Sequence, residues 1–559
     1  MRTCNPRRVA VVIAAACLLA LLTACTPPPA GESSRVDSTP AKTTAPGPPS
    51  RPSEPVTLRV LAGSEVKDMT GVLEEASKAT NVRLRFDYTG TLEGSKAVAA
   101  GKAAENYDLI WFSSNRYLSL IPDASKRIAA STKIMASPVV LGVKRRVAHE
   151  LGWDKKTPSW SGIAQAAEAK KFTYGMTDPS ASNSGFSALV GVATALSGGG
   201  AALDAQRTTA VAQDLRRFFA AQTMTSGSSG WLADQFVKKS GQRGGPDGII
   251  NYESVLLGLN ASDALSEPLT IVTPKDGVIT ADYPLTLLNG ADNRTKDAYS
   301  ALTDWLRTPV AQKMIMDQTS RRPAIPSVKP DRRFGQHMLV ELPFPAQLAV
   351  ADDLITAYLN TIRRATQTIY VLDLSGSMRG NRIRSVRRSL ISLAGGHGKI
   401  SSSGFAVFRE REKVSLIGYS DTARRPRVFA IPAGGSRQVL SDIRSAARDL
   451  QPGGNTATYS ALKSAYRLAA KQTADRSGAL STIVLMTDGE TNRGIKAGQF
   501  RAYYRDLPRP VRAVPTFTVK FGSADPKALG SVADLTGGKL IEAKNDHLAD
   551  AFKEIRGYQ

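Results

Sequence analysis

Five oxygen-bearing residues carry the chemistry this sequence states most clearly. Asp373, Ser375 and Ser377 alternate in IYVLDLSGSM (Ile369 to Met378), and Thr456 lies in the Gly-rich stretch PGGNTATYSALKSAY (Pro452 to Tyr466). Asp488 closes the apolar run of STIVLMTDGETNRG (Ser481 to Gly494). Carboxylates and hydroxyls without nitrogen or sulfur suit a hard cation such as Mg²⁺, which prefers near-octahedral oxygen geometry and keeps some waters. A bare Asp-x-Ser-x-Ser between a strand and a helix can equally make the turn and cap the helix. The two later stretches, each with its own oxygen donor, favour a site.

Ile369 to Asp373 is a short β-prone apolar run, and an Arg-rich helical pattern follows Met378. Thr456 precedes another helical pattern, and Asp488 ends a second buried-strand run. In a parallel α/β sheet the carboxyl ends of the strands open onto the binding crevice, where such residues can converge. In this order the three stretches resemble the metal-ion-dependent adhesion site of a von Willebrand factor type A domain. The resemblance runs from about Thr366 to the C-terminus and includes VPTFTVKFG (Val514 to Gly522), LGSVADLTGGKLIEA (Leu529 to Ala543) and HLADAFKEI (His547 to Ile555). It implies a doubly wound, Rossmann-like α/β domain over residues 365–559. It also implies that Asp373, Ser375, Ser377, Thr456 and Asp488 hold Mg²⁺ or Mn²⁺, some through water. An open coordination position would take an acidic side chain from a protein or envelope partner.

Strands alternating with helical patterns from Val56 to about Pro345 predict an α/β architecture. LRVLAGSE, DLIWFSSN, SPVVLGV, TDPSASNSGFSAL, INYESVLL and DYPLTLL, in that order, resemble a type II extracellular solute-binding protein. That resemblance implies two periplasmic-binding-protein-like lobes around a cleft, with SPVVLGV (Ser137 to Val143) as a hinge, binding a small polar solute. Ser182, Asn183, Ser184 and Gly185 precede an apolar periodic run, so they form a helix start: either an anion site or an ordinary cap. Ser64, Ser113 and Ser114 follow strands of the first lobe and are expected at the same cleft. Glu253 is expected opposite, to cap a helix or to read a cationic ligand, which leaves the sign of the solute open. All five tryptophans, Trp111, Trp153, Trp160, Trp231 and Trp305, precede residue 346, so fluorescence is expected to report the solute module alone.

At the amino end, Arg2, Arg7 and Arg8 precede an apolar run from Val9 to Leu22 that ends in Leu-Thr-Ala-Cys. A basic start and a short apolar core describe a secretory signal over residues 1–25. The Leu-Thr-Ala-Cys ending resembles a bacterial lipobox, implying lipidation of Cys25 and anchorage on the outer face of the cytoplasmic membrane. Residues 26–55 are rich in Pro, Ser and Thr and are expected to form a disordered tether. The three cysteines, Cys4, Cys17 and Cys25, leave the mature chain no disulfide and no catalytic thiol.

The formal charge of +24 is concentrated late: residues 365–559 hold 31 Lys and Arg against 16 Asp and Glu, a net of +15. No basic run interleaved with aromatics argues for nucleic acid. Anionic lipid, wall polymer or an acidic protein is the expected counterpart. An amphipathic stripe over 346–364 predicts a helix joining the modules with little slack. With no Walker motif, nucleophile elbow or paired acid/base carboxylates, a binding protein is expected and not an enzyme. The other expectation is the solute-binding component of an ABC-type uptake system, with the type A domain as a docking accessory.

Overall fold

A computed structural model describes residues 52–242, 245–335, 338–395, 407–475, 478–520, 522, 524–543 and 548–558. Cys25, the expected signal segment and nearly all of the expected tether lie outside the described residues. No helix among them is long and apolar enough to cross a membrane.

Three sheets organise the chain. The first has the strand order Val82–Tyr88, Val56–Ala62, Leu109–Trp111, Pro284–Leu288, Ile128–Lys133. Its first three strands are parallel, and Pro284–Leu288 runs antiparallel to both neighbours. The second sheet is built on Met135–Lys144, Gly248–Tyr252, Tyr174–Thr177 and Gln222–Ser226. Its long strand Met135–Lys144 pairs antiparallel with Gly248–Tyr252. Both sheets are mixed because the chain crosses to the second lobe at Met135 and returns at Tyr283, so each crossing strand enters against the local direction. The expected hinge stretch is therefore the middle of a sheet strand. The return is made by Tyr283 with φ of 42°, a left-handed conformation unusual for an aromatic residue.

Leu348–Ala357 is an α-helix continued by a π-helical turn, Tyr358–Ile362. Its apolar stripe, Ala351, Leu354, Ile355, Tyr358, Leu359 and Ile362, is buried in the core of the solute module. Tyr117 Oη donates to Asp352 Oδ1 at 2.7 Å and fixes the helix from its polar side. The segment read as a linker thus belongs by packing to the domain before it.

The third sheet runs Arg427–Ala430, Glu412–Tyr419, Thr366–Asp373, Leu480–Thr487, Thr516–Lys520, Leu540–Glu542, all parallel except the first, which is an antiparallel edge. Thr366–Asp373 is buried throughout. Tyr370 and Leu372 enter one core with Ile383, Val386, Leu390, Phe552 and Ile555, while Ile369 and Val371 enter another with Leu462, Tyr466 and Phe500. Helices on both faces explain why the central strands read as continuous apolar runs.

Residues 48–559 form one compact unit. The amino ends of the third sheet's strands abut the second lobe. Arg364 Nη1, two residues before Thr366–Asp373, donates to Gln222 O at 3.4 Å, and Asp178 and Arg409, both nearly inaccessible, are paired at 3.5 Å. Trp231 of the second lobe lies 4.5 Å from the Tyr558 ring and 5.9 Å from that of Phe517.

Candidate functional site

The carboxyl end of Thr366–Asp373 turns sharply into a 3₁₀ turn, Gly376–Met378, ahead of the helix Asn381–Leu393. Ser375 N–H donates to Asp373 Oδ1 at 2.8 Å, and Ser375 and Ser377 share a hydroxyl hydrogen bond at 3.0 Å. Ser377 Oγ donates to Asp488 Oδ1 at 2.9 Å, so four of the five expected ligands form one continuous chain. Thr456 is brought alongside by its loop: Gly453 N–H donates to Leu374 O at 2.7 Å and Gly376 N–H to Gly454 O at 2.9 Å. Its own N–H is fixed by Asn492 Oδ1 at 2.8 Å. Gly454 has φ of 85°, and a Cβ there would lie 2.2 Å from Asp421 Oδ2, so the loop needs glycine.

Asp373, Ser375, Thr456 and Asp488 are buried, while Ser377 is exposed at the rim. Burial pushes the Asp373 carboxyl above its ordinary value, and the negative charge of Asp488 adds to this against the hydrogen bonds from Thr487 and Ser375. Two desolvated carboxylates this close call for positive charge. Arg382 Nη1 supplies some, donating to Asp488 Oδ2 at 2.5 Å and to Ser377 O at 3.2 Å. The donor set, two carboxylates and three hydroxyls, fits a hard divalent cation. No group of three or more His, Cys, Asp or Glu suited to a metal occurs among the described residues, so hydroxyls must complete any coordination. Thr487, donating to Asp373 Oδ2 at 2.6 Å, Asn492 and Arg382 were not singled out from the sequence. Thr487 was findable as the residue preceding Asp488, whereas Arg382 is one of several arginines on its helix and carried no signal.

The second candidate site is a cavity of about 540 Å³ between the lobes, of the size that holds small molecules. It brings together Ser64 and Ser182 of the expected set. Ser182 is the N-cap of the helix Asn183–Leu196 but makes no side-chain cap bond. Ser184 sits behind it, its hydroxyl shared with Thr177, Ser182 and Ser229 at 2.8, 3.1 and 2.8 Å. Ser113 is also one layer back, bonded to Tyr252 Oη at 3.0 Å, and Ser114 accepts the N–H of Arg116 at 3.3 Å. Glu253 does not reach the cavity. Arg322 takes both of its oxygens at 2.6 and 2.8 Å, so it is a structural ion pair. Glu65, adjacent to Ser64, lines the cavity instead.

The outer wall comes from the other module. Lys539, Glu554, Arg556, Gly557 and Tyr558 line the same cavity, the last four from or just beyond the closing helix Leu548–Arg556. With Trp231 packed on Tyr558 and Phe517, fluorescence reports the junction as well as the solute lobes.

Comparison with known proteins agrees with this division. Residues 58–318 match the family model described as bacterial extracellular solute-binding protein, and residues 369–554 match that of the von Willebrand factor type A domain. The chain therefore joins an extracellular solute-binding module to a von Willebrand factor type A domain. A periplasmic binding protein, AfuA of Actinobacillus pleuropneumoniae, is 14% identical, with 55% of this chain and 98% of that one covered and a TM-score of 0.42. A von Willebrand factor type A protein from Catenulispora acidiphila is 18% identical over 35% of this chain and 42% of its own, with a TM-score of 0.28. Inter-alpha-trypsin inhibitor heavy chain H4 of Sus scrofa is 28% identical over 129 residues, 22% of this chain and 12% of that relative's length.

Proposed function

We propose that this chain is an exported, lipid-anchored binding protein that captures a protein or envelope partner through a divalent cation and senses a small solute between its lobes. The observation that carries the first half is the hydrogen-bonded chain from Asp373 through Ser375 and Ser377 to Asp488, at the end of the sheet opposite the solute module. Asp373, Ser375, Ser377, Thr456 and Asp488 would hold Mg²⁺ or Mn²⁺, directly or through water. The cation supplies a Lewis-acidic position for an acidic side chain of the partner. The two carboxylates formally match the cation's charge, but with one of them held only through water the direct donors would be a single carboxylate and neutral hydroxyls, which favours that incoming carboxylate. Ser377 lies at the exposed rim where a partner can approach, while Thr487 and Asn492 orient the buried donors. We assign no catalytic step to these residues.

Calorimetric titration of Mg²⁺ into the full chain and into Asp373→Ala tests the site. Wild type is expected to bind and the variant to lose binding while keeping its circular dichroism spectrum; equal affinity overturns the assignment. Anchorage rests on the Cys25 lipobox. Labelled fatty acid should appear on wild type and not on Cys25→Ala, which should fractionate away from the membrane. Identical fractionation of the two would refute it.

A further inference from the structure

The charged groups around the interlobe cavity, matched pairwise, decide what a solute must bring. Three of its four basic groups are paired with carboxylates. Arg556 is held by both oxygens of Glu412 at 2.5 and 2.8 Å, Lys539 by Glu554 at 2.5 Å and Arg409 by Asp178 at 3.5 Å. The fourth, Lys67, is exposed and lies 4.6 Å over the Tyr88 ring, so its charge stays at the rim, where the Glu93 carboxylate on the same wall is of opposite sign.

Glu65 stands apart from these. Its side chain folds back over the end of Val56–Ala62, one oxygen 2.5 Å from where a Cβ on Gly63 would stand, so the pose depends on glycine there. The Ser229 hydroxyl, from the second lobe, and its own N–H stabilise the charged form. The nearest guanidinium is committed elsewhere: Arg321 donates to both oxygens of Asp68 at 2.8 and 2.7 Å and to the Glu65 carbonyl at 2.7 Å. Among the described residues Glu65 makes no ion pair, so Glu65 and Asp68 share one guanidinium and one negative charge is left over. Burial raises the Glu65 carboxyl above its ordinary value, and Asp68 adds to this against the pull of Arg321. A desolvated carboxylate gains most from a charged donor, because such hydrogen bonds are about twice as strong as neutral ones.

We propose that the cleft takes a solute with a positively charged nitrogen seated against the Glu65 carboxylate, inside a site whose outer wall is the closing helix of the type A domain. The proposal rests on the reading of this module as solute-binding and gives that solute its sign. The acidic group is Glu65 and not Glu253, whose charge Arg322 already consumes. Because Glu554, Gly557 and Tyr558 close the same cavity, a bound solute touches both modules.

The full chain should be titrated by calorimetry and thermal shift with choline, agmatine and spermidine, and in parallel with inorganic phosphate, citrate and glucose. At least one cationic probe is expected to bind and raise Tm, and Glu65→Gln is expected to weaken it at least tenfold. Without any probe, Glu65→Gln should melt at the same or a higher temperature than wild type, since the lost charge made no ion pair of its own and Arg321 stays paired with Asp68. Preferential binding of phosphate, citrate or glucose would overturn the charge assignment and leave the solute-binding reading standing. Cationic binding that survives Glu65→Gln would overturn the role of Glu65 alone. Silence from all six probes would overturn both readings.

Discussion

Asp373 and Asp488 sit in one hydrogen-bonded chain, and their mutual repulsion sets how the rim of the type A domain answers to pH and to cations. Folding raises the Asp373 carboxyl through burial, with Asp488 adding. A folded-state value above the unfolded one means the folded protein holds more protons across that window, so without metal this residue's contribution to stability falls as pH rises through it. A divalent cation needs the ionised form and reverses the trend. At free Mg²⁺ a hundredfold above Kd, binding should stabilise the fold by about 2.7 kcal/mol well above the raised Asp373 value. That increment should shrink as pH falls through it. Melting curves with and without Mg²⁺ across the acidic range check this, and an increment independent of pH would rule it out. Arg382 occupies Asp488 Oδ2 and competes with an incoming cation for that carboxylate's charge. Arg382→Ala should therefore tighten Mg²⁺ binding, by about threefold to tenfold for loss of a partly exposed charged hydrogen bond. Weaker binding would instead make Arg382 part of the site.

Elements place these residues, and two of them invite direct perturbation. The turn before Asn183–Leu196 is organised by Asp178, whose Oδ1 accepts from Ser180 N and Oγ at 2.8 and 2.6 Å while Oδ2 faces Arg409. Arg409→Ala removes the guanidinium paired with buried Asp178 and leaves it only the electrostatic pull of Arg363 and Arg556, and breaking a buried pair typically costs about 3–5 kcal/mol. The same order of loss is expected for Arg322→Ala, which strands Glu253 in the core of the second lobe. Chemical denaturation measures both, and a loss below about 1 kcal/mol would mean that water or another group compensates. Just beyond the closing helix, Gly557 packs against Gly227, where an added Cβ would stand 2.9 Å from the Gly227 Cα. Neither backbone can yield without separating the modules there. Gly557→Leu should expose Trp231 and shift its emission to longer wavelength, and an unchanged spectrum would show that the contact is dispensable.

For the whole molecule, the modules share buried ionic and aromatic contacts, so they are expected to unfold in one transition followed equally by fluorescence and circular dichroism. Trp231→Ala, which removes the ring packed on Tyr558 and Phe517, should separate that transition into two. Coincident transitions in the variant would show that the ionic contacts suffice. The adhesion-type rim faces away from this junction, as a surface awaiting a partner must, while the junction holds the cleft's outer wall. The net charge of +15 over residues 365–559 then lies on the module that carries the rim, and it favours approach to acidic partners at low ionic strength.

How much of this was legible beforehand follows from the range of the interactions involved. Asp373, Ser375 and Ser377 could be read because one turn positions all three, and Asp488 because a buried parallel strand announces its own end. The apolar stripe of 348–362 specified a helix, but not that it would pack on the module before it, since periodicity gives a face and not its partner. Glu65 and Glu253 illustrate the same limit at the cleft. Both follow strands and precede helical turns, and nothing local separates them. Arg322, 69 residues beyond Glu253, neutralises one, while Arg321 turns instead to Asp68 and leaves the other facing the cavity. Local patterning fixed the elements, the two modules and the metal-type donor set. Which charges remain for a ligand, and that the closing helix walls the cleft, depended on contacts between residues 69 to several hundred positions apart, where ion-pair geometry is decided by packing and not by sequence spacing.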